Sequence, residues 1–209
     1  MTLMPAPRVA FVDFLDSLER SDPASGQAHV RVGLEGGGES TFLVATFDRP
    51  AAWMKEKKLD HWFAEPVLYV RRLDVQTVRA AVDAMAADLG GYWLRYYRAA
   101  PGRPSAIGLG TASTDRVDGG CGVVETVLKD GREFSILAAT PEWWHAESAR
   151  RNLRFYFGPM VLFIKAFDAA HAKRAAKRMA EIDELLFCRY DTPRKTLPEV
   201  LDAFQAARS

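Results

Sequence analysis

The chain carries one pattern twice. Displaced by 94 positions, the sequence matches itself over two separated stretches. The first gives Val30/Val124, Leu34/Leu128, Gly37/Gly131, Glu39/Glu133, Leu43/Leu137, Ala45/Ala139 and Thr46/Thr140. The second gives Asp74/Asp168, Ala81/Ala175, Met85/Met179, Ala86/Ala180, Arg95/Arg189 and Tyr96/Tyr190. These are 13 identities in 42 aligned positions, where ordinary composition supplies about 3. A repeated pattern constrains architecture before any single element is assigned. It implies two similar modules related by a pseudo-twofold axis.

Local signals give the unit. Residues 29–34 and 40–47 are β-rich runs separated by Glu35-Gly36-Gly37-Gly38-Glu39, and glycine accepts the positive φ a hairpin turn needs. The second copy has Lys129-Asp130-Gly131-Arg132 there, and Asp-Gly is a favoured hairpin turn. Thr46 and Thr140 each precede a proline that suits a first helical turn, Pro50 and Pro141, so helices are expected over 50–61 and 141–154. On this alignment the second connection is three residues shorter, and Trp53 matches Trp144. Strands over 66–71 and 159–166 follow, then helices capped by Asp74 and Asp168, then strands over 92–97 and 186–190.

The expected fold is therefore α+β: a tandem β-β-α-β-α-β unit forming mixed sheets with helices packed on them. Repeat 1 spans 27–98 and repeat 2 spans 122–192, packed as one globular unit. Residues 99–121, rich in Gly, Pro, Ser and Thr, read as a linker with one short strand near Ile107. Val9, Val12, Leu15 and Leu18 fall at helical spacing, so an N-terminal helix is expected within 1–26. Val200, Leu201 and Phe204 suggest a C-terminal helix within 193–209.

Composition bounds the function. With 48% apolar residues the chain can build a core, and a net charge of +1 argues against a dominant nucleic-acid or membrane-surface role. No apolar run approaches the ~20 residues of a membrane helix, and the first residues do not read as a signal peptide. Cys121 and Cys188, far apart and without metal spacing, suggest reduced thiols. The expectation is a cytoplasmic protein without a metal or cofactor.

Candidate site residues are few. Arg95-Tyr96 and Arg189-Tyr190 recur in both copies, and an arginine on an apolar strand needs an anion. That anion can be a carboxylate of the chain, with Glu39 and Glu133 available, or a ligand held in a shared cleft. Trp143 and Trp144 stand beside His145, and one of the two rings should leave the core. Cys121 lies among glycines, where it could act as a nucleophile with His145 as base. His29, His61 and His171 show no ligand spacing. Arg150, Arg151, Arg154, Lys173, Arg174, Lys177 and Arg178 form basic helix faces.

The favoured reading is a non-enzymatic binding protein. It would recognise a protein partner, itself or a small anion through the cleft between repeats or through the aromatic surface. The ligand-binding set would be Arg95, Arg189, Tyr96, Tyr190, Trp143 and Trp144. The first alternative is an enzyme using Cys121 and His145, with Arg95 and Arg189 holding an anionic substrate. The second is a weak nucleic-acid binder using the basic helices.

Overall fold

A computed structural model describes residues 7–18, 22–62, 67–87, 109–118, 120–129, 131, 133–157 and 161–182. Fourteen elements run in the order β1 (Val9–Phe14), β2 (Gln27–Leu34), β3 (Glu39–Thr46), α1 (Arg49–Lys57), β4 (His61–Trp62), β5 (Val67–Val70), α2 (Val75–Ala87), β6 (Leu109–Asp118), β7 (Cys121–Leu128), β8 (Glu133–Ala139), α3 (Pro141–Arg150), β9 (Phe155–Tyr156), β10 (Val161–Ile164) and α4 (Ala169–Ile182). The class is α+β, with two mixed five-stranded sheets and four helices among the described residues.

One sheet has the order β1-β2-β3-β5-β9 and the other β6-β7-β8-β10-β4. In each, a three-stranded antiparallel meander is joined to a parallel strand that returns after a helix. The registers correspond. Leu43 faces Val67 in β3–β5, and Leu137 faces Val161 in β8–β10. Both numbers are displaced by 94.

The two-residue strands cross over. β9 from the second half of the sequence completes the first sheet, pairing Tyr156 with Tyr69. β4 from the first half completes the second sheet, pairing Trp62 with Phe163. The adjoining backbone bonds are reciprocal too: Arg71 N–H donates to Arg154 O and Lys165 N–H to Asp60 O, both at 2.8 Å. Among the described residues, neither half of the sequence supplies all five strands of its own sheet.

Alternation along the strands builds two cores. Phe42, Val44, Leu68 and Val70 pack against Val78, Val82 and Met85 of α2 on the outer face of the first sheet. Their neighbours Ala45, Val67 and Tyr69 turn inward and meet Val123, Leu137, Val161 and Phe163 of the second sheet. α4 packs on β6, β7 and β10. Trp144 of α3 stands in the middle core, its ring centroid 5.1 Å from Tyr69, 5.2 Å from Tyr156 and 5.7 Å from Phe163, all near edge-on. Each such pair adds about 0.5–1.5 kcal/mol beyond area burial.

Several expectations are corrected. Residues 9–14 form an edge strand, not a helix. Val9, Phe11 and Val12 suit a strand, and pairing with β2 outweighs the helical spacing. The acids assigned to a helix's polar face are cross-strand partners instead: Asp13 pairs with Arg31 at 2.9 Å, and Asp16 accepts from the His29 backbone N–H at 2.6 Å. The hydrogen bonds from that N–H and from the His29 ring hold the Asp16 carboxyl below the usual carboxylate range. The segment read as a linker contains ten-residue β6, which joins β7 through backbone bonds despite its loop-like composition. β1 and β6 carry a bulge at matching places, between Val9 and Phe11 and between Leu109 and Thr111.

α1 is capped by left-handed Lys58 (φ 53°), whereas α3 is capped by right-handed Arg151 and the left-handed residue is the next one, Asn152 (φ 54°), 94 positions from Lys58. α3 starts earlier relative to that end because Thr140 Oγ1 caps it, accepting from Trp143 N–H at 3.2 Å. At the 94-residue displacement Trp144 aligns with Pro50, not with Trp53. The cap roles of Asp74 and Asp168 are present: each accepts a backbone N–H, from Thr77 and His171 respectively, at 2.7 Å. The strands expected at 92–97 and 186–190 and the C-terminal helix lie outside the described residues.

Candidate functional site

A cleft of about 450 Å3 opens where α1 meets the start of α3. α1 contributes one face, Ala51, Met54, Lys55 and the capping Lys58, at the i, i+3, i+4, i+7 spacing that stacks side chains on a helix. Leu59 follows from the turn, Pro141 and Glu142 come from the first turn of α3, and Lys165 stands just beyond β10. Met54 and Pro141 are buried and form the floor; Lys55, Lys58, Glu142 and Lys165 are exposed at the rim.

The strand crossover brings these groups together. Lys165 continues the β10–β4 ladder through its backbone bond to Asp60, so a residue from the second half sits beside the end of α1. None of the three lysines makes an ion pair among the described residues; nearby Glu56 is engaged with Lys57 at 3.0 Å and with Arg49 at 3.9 Å. Three ammonium groups face one carboxylate, leaving two net positive charges over an apolar floor. The start of α3 adds little of its own, since Pro141 has no N–H and Thr140 takes the N–H of Trp143.

Shifting each lining residue by 94 gives Phe47, Asp48, Arg71, His145, Ser148, Ala149, Asn152 and Leu153. Among these, polar groups bind each other. His145 Nδ1 meets Asp48 Oδ1, and Arg71 Nη1 donates to Asn152 Oδ1 at 2.7 Å. At these positions side chains from both halves are joined to each other, whereas the cleft is open and cationic.

Of the residues singled out in the sequence, Arg95, Tyr96, Arg189, Tyr190 and Cys188 lie outside the described residues. Trp144 is 1% exposed and belongs to the core, which withdraws it from any ligand surface. Trp143 is partly buried against the same core. Trp53 is half-buried, covered by the cations of Arg49 and Lys57 at 4.7 and 4.9 Å from its ring. Cys121 is fully buried in the middle core, and His145, whose Nδ1 meets Asp48, is exposed. A nucleophile–base pair is not assembled there, because a sealed thiol has no access to substrate.

Glu147, 12% exposed, gathers Arg150 and Arg151 of its own helix. The hydrogen bond from Arg150, helped by Arg151 and opposed by burial, lowers its carboxyl to about 2. This is an internal ion cluster that closes the end of α3. Lys173, Arg174 and Lys177 are exposed on α4 beside buried Ala172, Ala175 and Ala176, as a solvated helix face requires.

Lys55, Lys58 and Lys165 were not singled out in the sequence. Lys55-Glu56-Lys57-Lys58 reads as an ordinary charged helix end, and only the β4–β10 pairing connects it to Lys165. Among the described residues no group of His, Cys, Asp or Glu converges to hold a metal, and no helix is long and apolar enough to cross a membrane. No protein-family model matches the chain, nor does any curated protein or solved structure.

Proposed function

We propose that the chain is a non-enzymatic binding protein, built from two copies of one ancestral unit, that takes a small anionic ligand in the open cleft between them. The duplication is supported by strand registers, left-handed caps and reciprocal backbone bonds that all differ by 94 residues. Two copies give two related crevices, and only one needs to keep a ligand. The carrying observation is a difference: Asp48, His145, Arg71 and Asn152 are joined to each other, while the cleft holds three lysines that make no ion pair among the described residues. Crowded ammonium groups repel one another, an unfavourable arrangement that an anion would relieve.

Calorimetric titration of the whole chain with phosphate, pyrophosphate and citrate tests this reading. Saturable, salt-sensitive binding is expected, weakened about tenfold or more in the Lys55→Ala/Lys165→Ala variant, equivalent to about 1.4 kcal/mol. Both side chains are exposed, so folding is not at stake. An absence of heat with every anion, or equal affinity in the variant, removes the reading.

A further inference from the structure

Resting on that reading, we infer that the ligand is a small amphipathic dianion: a phosphomonoester carried on a compact apolar body. Charge sets the first half of the inference. Lys55, Lys58 and Lys165 against Glu142 leave two positive charges, and a phosphomonoester carries about −1.5 to −2 at pH 7. Lysine also suits phosphate better than it suits planar carboxylate. Its ammonium is a compact point charge, while the fork that grips a carboxylate in two places belongs to arginine. The corresponding position across the crevices does hold an arginine, Arg71, and it is spent on Asn152.

The floor sets the second half. Ala51, Met54, Leu59 and Pro141 present carbon to the cleft, with Met54 and Pro141 buried beneath it. An inorganic ion would leave this surface wet, whereas an aryl or short alkyl group would cover it at about 25 cal/mol per Å2. A volume of about 450 Å3 falls in the range of small-molecule pockets. Methionine in the floor fits rings of differing shape, because its unbranched chain adapts to what it touches. The head group would sit at the rim among the ammonium groups and the body against α1.

The test titrates the whole chain with 1-naphthyl phosphate, inorganic phosphate, 1-naphthalenesulfonate and 1-naphthol. The phosphate ester should bind at least about tenfold tighter than each of the other three. Its affinity should fall several-fold from pH 7.5 to pH 5, as the second phosphate charge is lost near pH 6. The sulfonate, singly charged throughout, should show a smaller pH change. Lys58→Asn, which places in the left-handed cap the residue its counterpart Asn152 uses, should weaken the ester several-fold without affecting folding.

Equal affinity for inorganic phosphate and the ester would overturn the amphipathic ligand and leave the anion site standing. Equal affinity for the sulfonate and the ester would overturn the dianion. Tight binding of 1-naphthol, or ester binding unchanged by Lys55→Ala/Lys165→Ala, would sink both this inference and the reading beneath it.

Discussion

The two crevices flanking α1 and α3 share a backbone plan and differ in how their polar groups are satisfied. In one, Asp48, His145, Arg71 and Asn152 find partners across the boundary between the halves. In the other, Glu142, Ala51, Lys165 and Lys58 occupy the corresponding positions and make no such bonds. Ala51 has nothing to offer Glu142 where His145 meets Asp48. Lys58 and Lys165 line the cleft at the positions where Asn152 and Arg71 join. Seven of the eight lining positions differ from the residues 94 positions away, and these differences separate a structural contact from an open cationic cleft.

The largest effect should come from the group both crevices lean on. α3 starts in the open crevice and ends in the closed one, and Trp144 anchors it in the core. Trp144→Ala should cost about 3–5 kcal/mol, read as a lowered urea midpoint, because the cavity lies among Tyr69, Tyr156 and Phe163. Pro50→Ala, at the counterpart position, should cost about 1 kcal/mol or less, since little side chain is removed. Similar losses at both sites would mean that the middle core is shared evenly between the helices and that α3 is no special anchor.

The acid limb of stability should come next. Position 147 holds an internal ion cluster, while its counterpart is Trp53, covered by cations. The folded-state pKa of Glu147 is lowered to about 2 from 4.5, so its contribution is full above the unfolded pKa. It is then lost as pH falls from about 4.5 toward 2. Arg150 is largely in solvent, which trims the contribution to about 1–2 kcal/mol. Glu147→Gln should therefore lower stability at pH 7 by that amount and by much less at pH 2.5. A difference independent of pH would mean that shape, not charge, matters at this position.

The sequence made some of this comparison visible and hid the rest for physical reasons. The 94-residue self-match falls where packing restricts choice: Leu43/Leu137 and Ala45/Ala139 face the middle core, and Asp74 and Asp168 cap helices. It was not legible between residues 47 and 73, where side chains diverged while the backbone kept its course. Trp53 and Trp144 invited alignment because both follow a proline, yet the left-handed residues Lys58 and Asn152 stand 94 apart, the displacement of the rest of the self-match. Neither residue is glycine, so neither announces itself. β1 read as a helix because Val9, Val12, Leu15 and Leu18 fit a helical stripe, and β6 read as a loop because its residues are small and polar. Both strands owe their state to an edge supplied from elsewhere in the chain. The cleft was hidden for a related reason: two-residue strands such as β4 leave no periodic trace, yet β4 is what brings Lys165 to α1.

A smaller effect separates the two cations that stand 94 residues apart. Arg71→Ala removes an exposed hydrogen bond to Asn152 and should cost about 0.5–1 kcal/mol. Lys165→Ala removes a charge without an internal partner and should be neutral or stabilising by up to about 0.5 kcal/mol. Thermal unfolding at low salt reads both, and the gap should narrow as salt screens the lysines from one another. A destabilising Lys165→Ala would show that its ammonium has a structural role, and the contrast between the crevices would lose its basis.

The sharpest way to break the comparison is to convert one crevice into the other. Ala51→His, Lys58→Asn and Lys165→Arg together give the open cleft the bonding groups of its counterpart, with Glu142 in the place of Asp48. Two exposed side-chain bonds are gained, and the stability change should stay within about 1 kcal/mol. Anion binding should nevertheless fall below detection. The ammonium groups of Lys58 and Lys165 become an amide and a guanidinium, the guanidinium is engaged by the new asparagine as Arg71 is by Asn152, the imidazole at position 51 engages Glu142, and Lys55 alone keeps its ammonium. This variant separates geometry from charge more cleanly than alanine substitutions do, because it fills the cleft instead of emptying its rim. If the converted protein still binds 1-naphthyl phosphate as the natural chain does, the apolar floor alone accounts for binding and the lysines are ordinary solvated charges. If it binds nothing and keeps its stability, a few side chains on a common frame decide whether a crevice closes on itself or waits for a ligand.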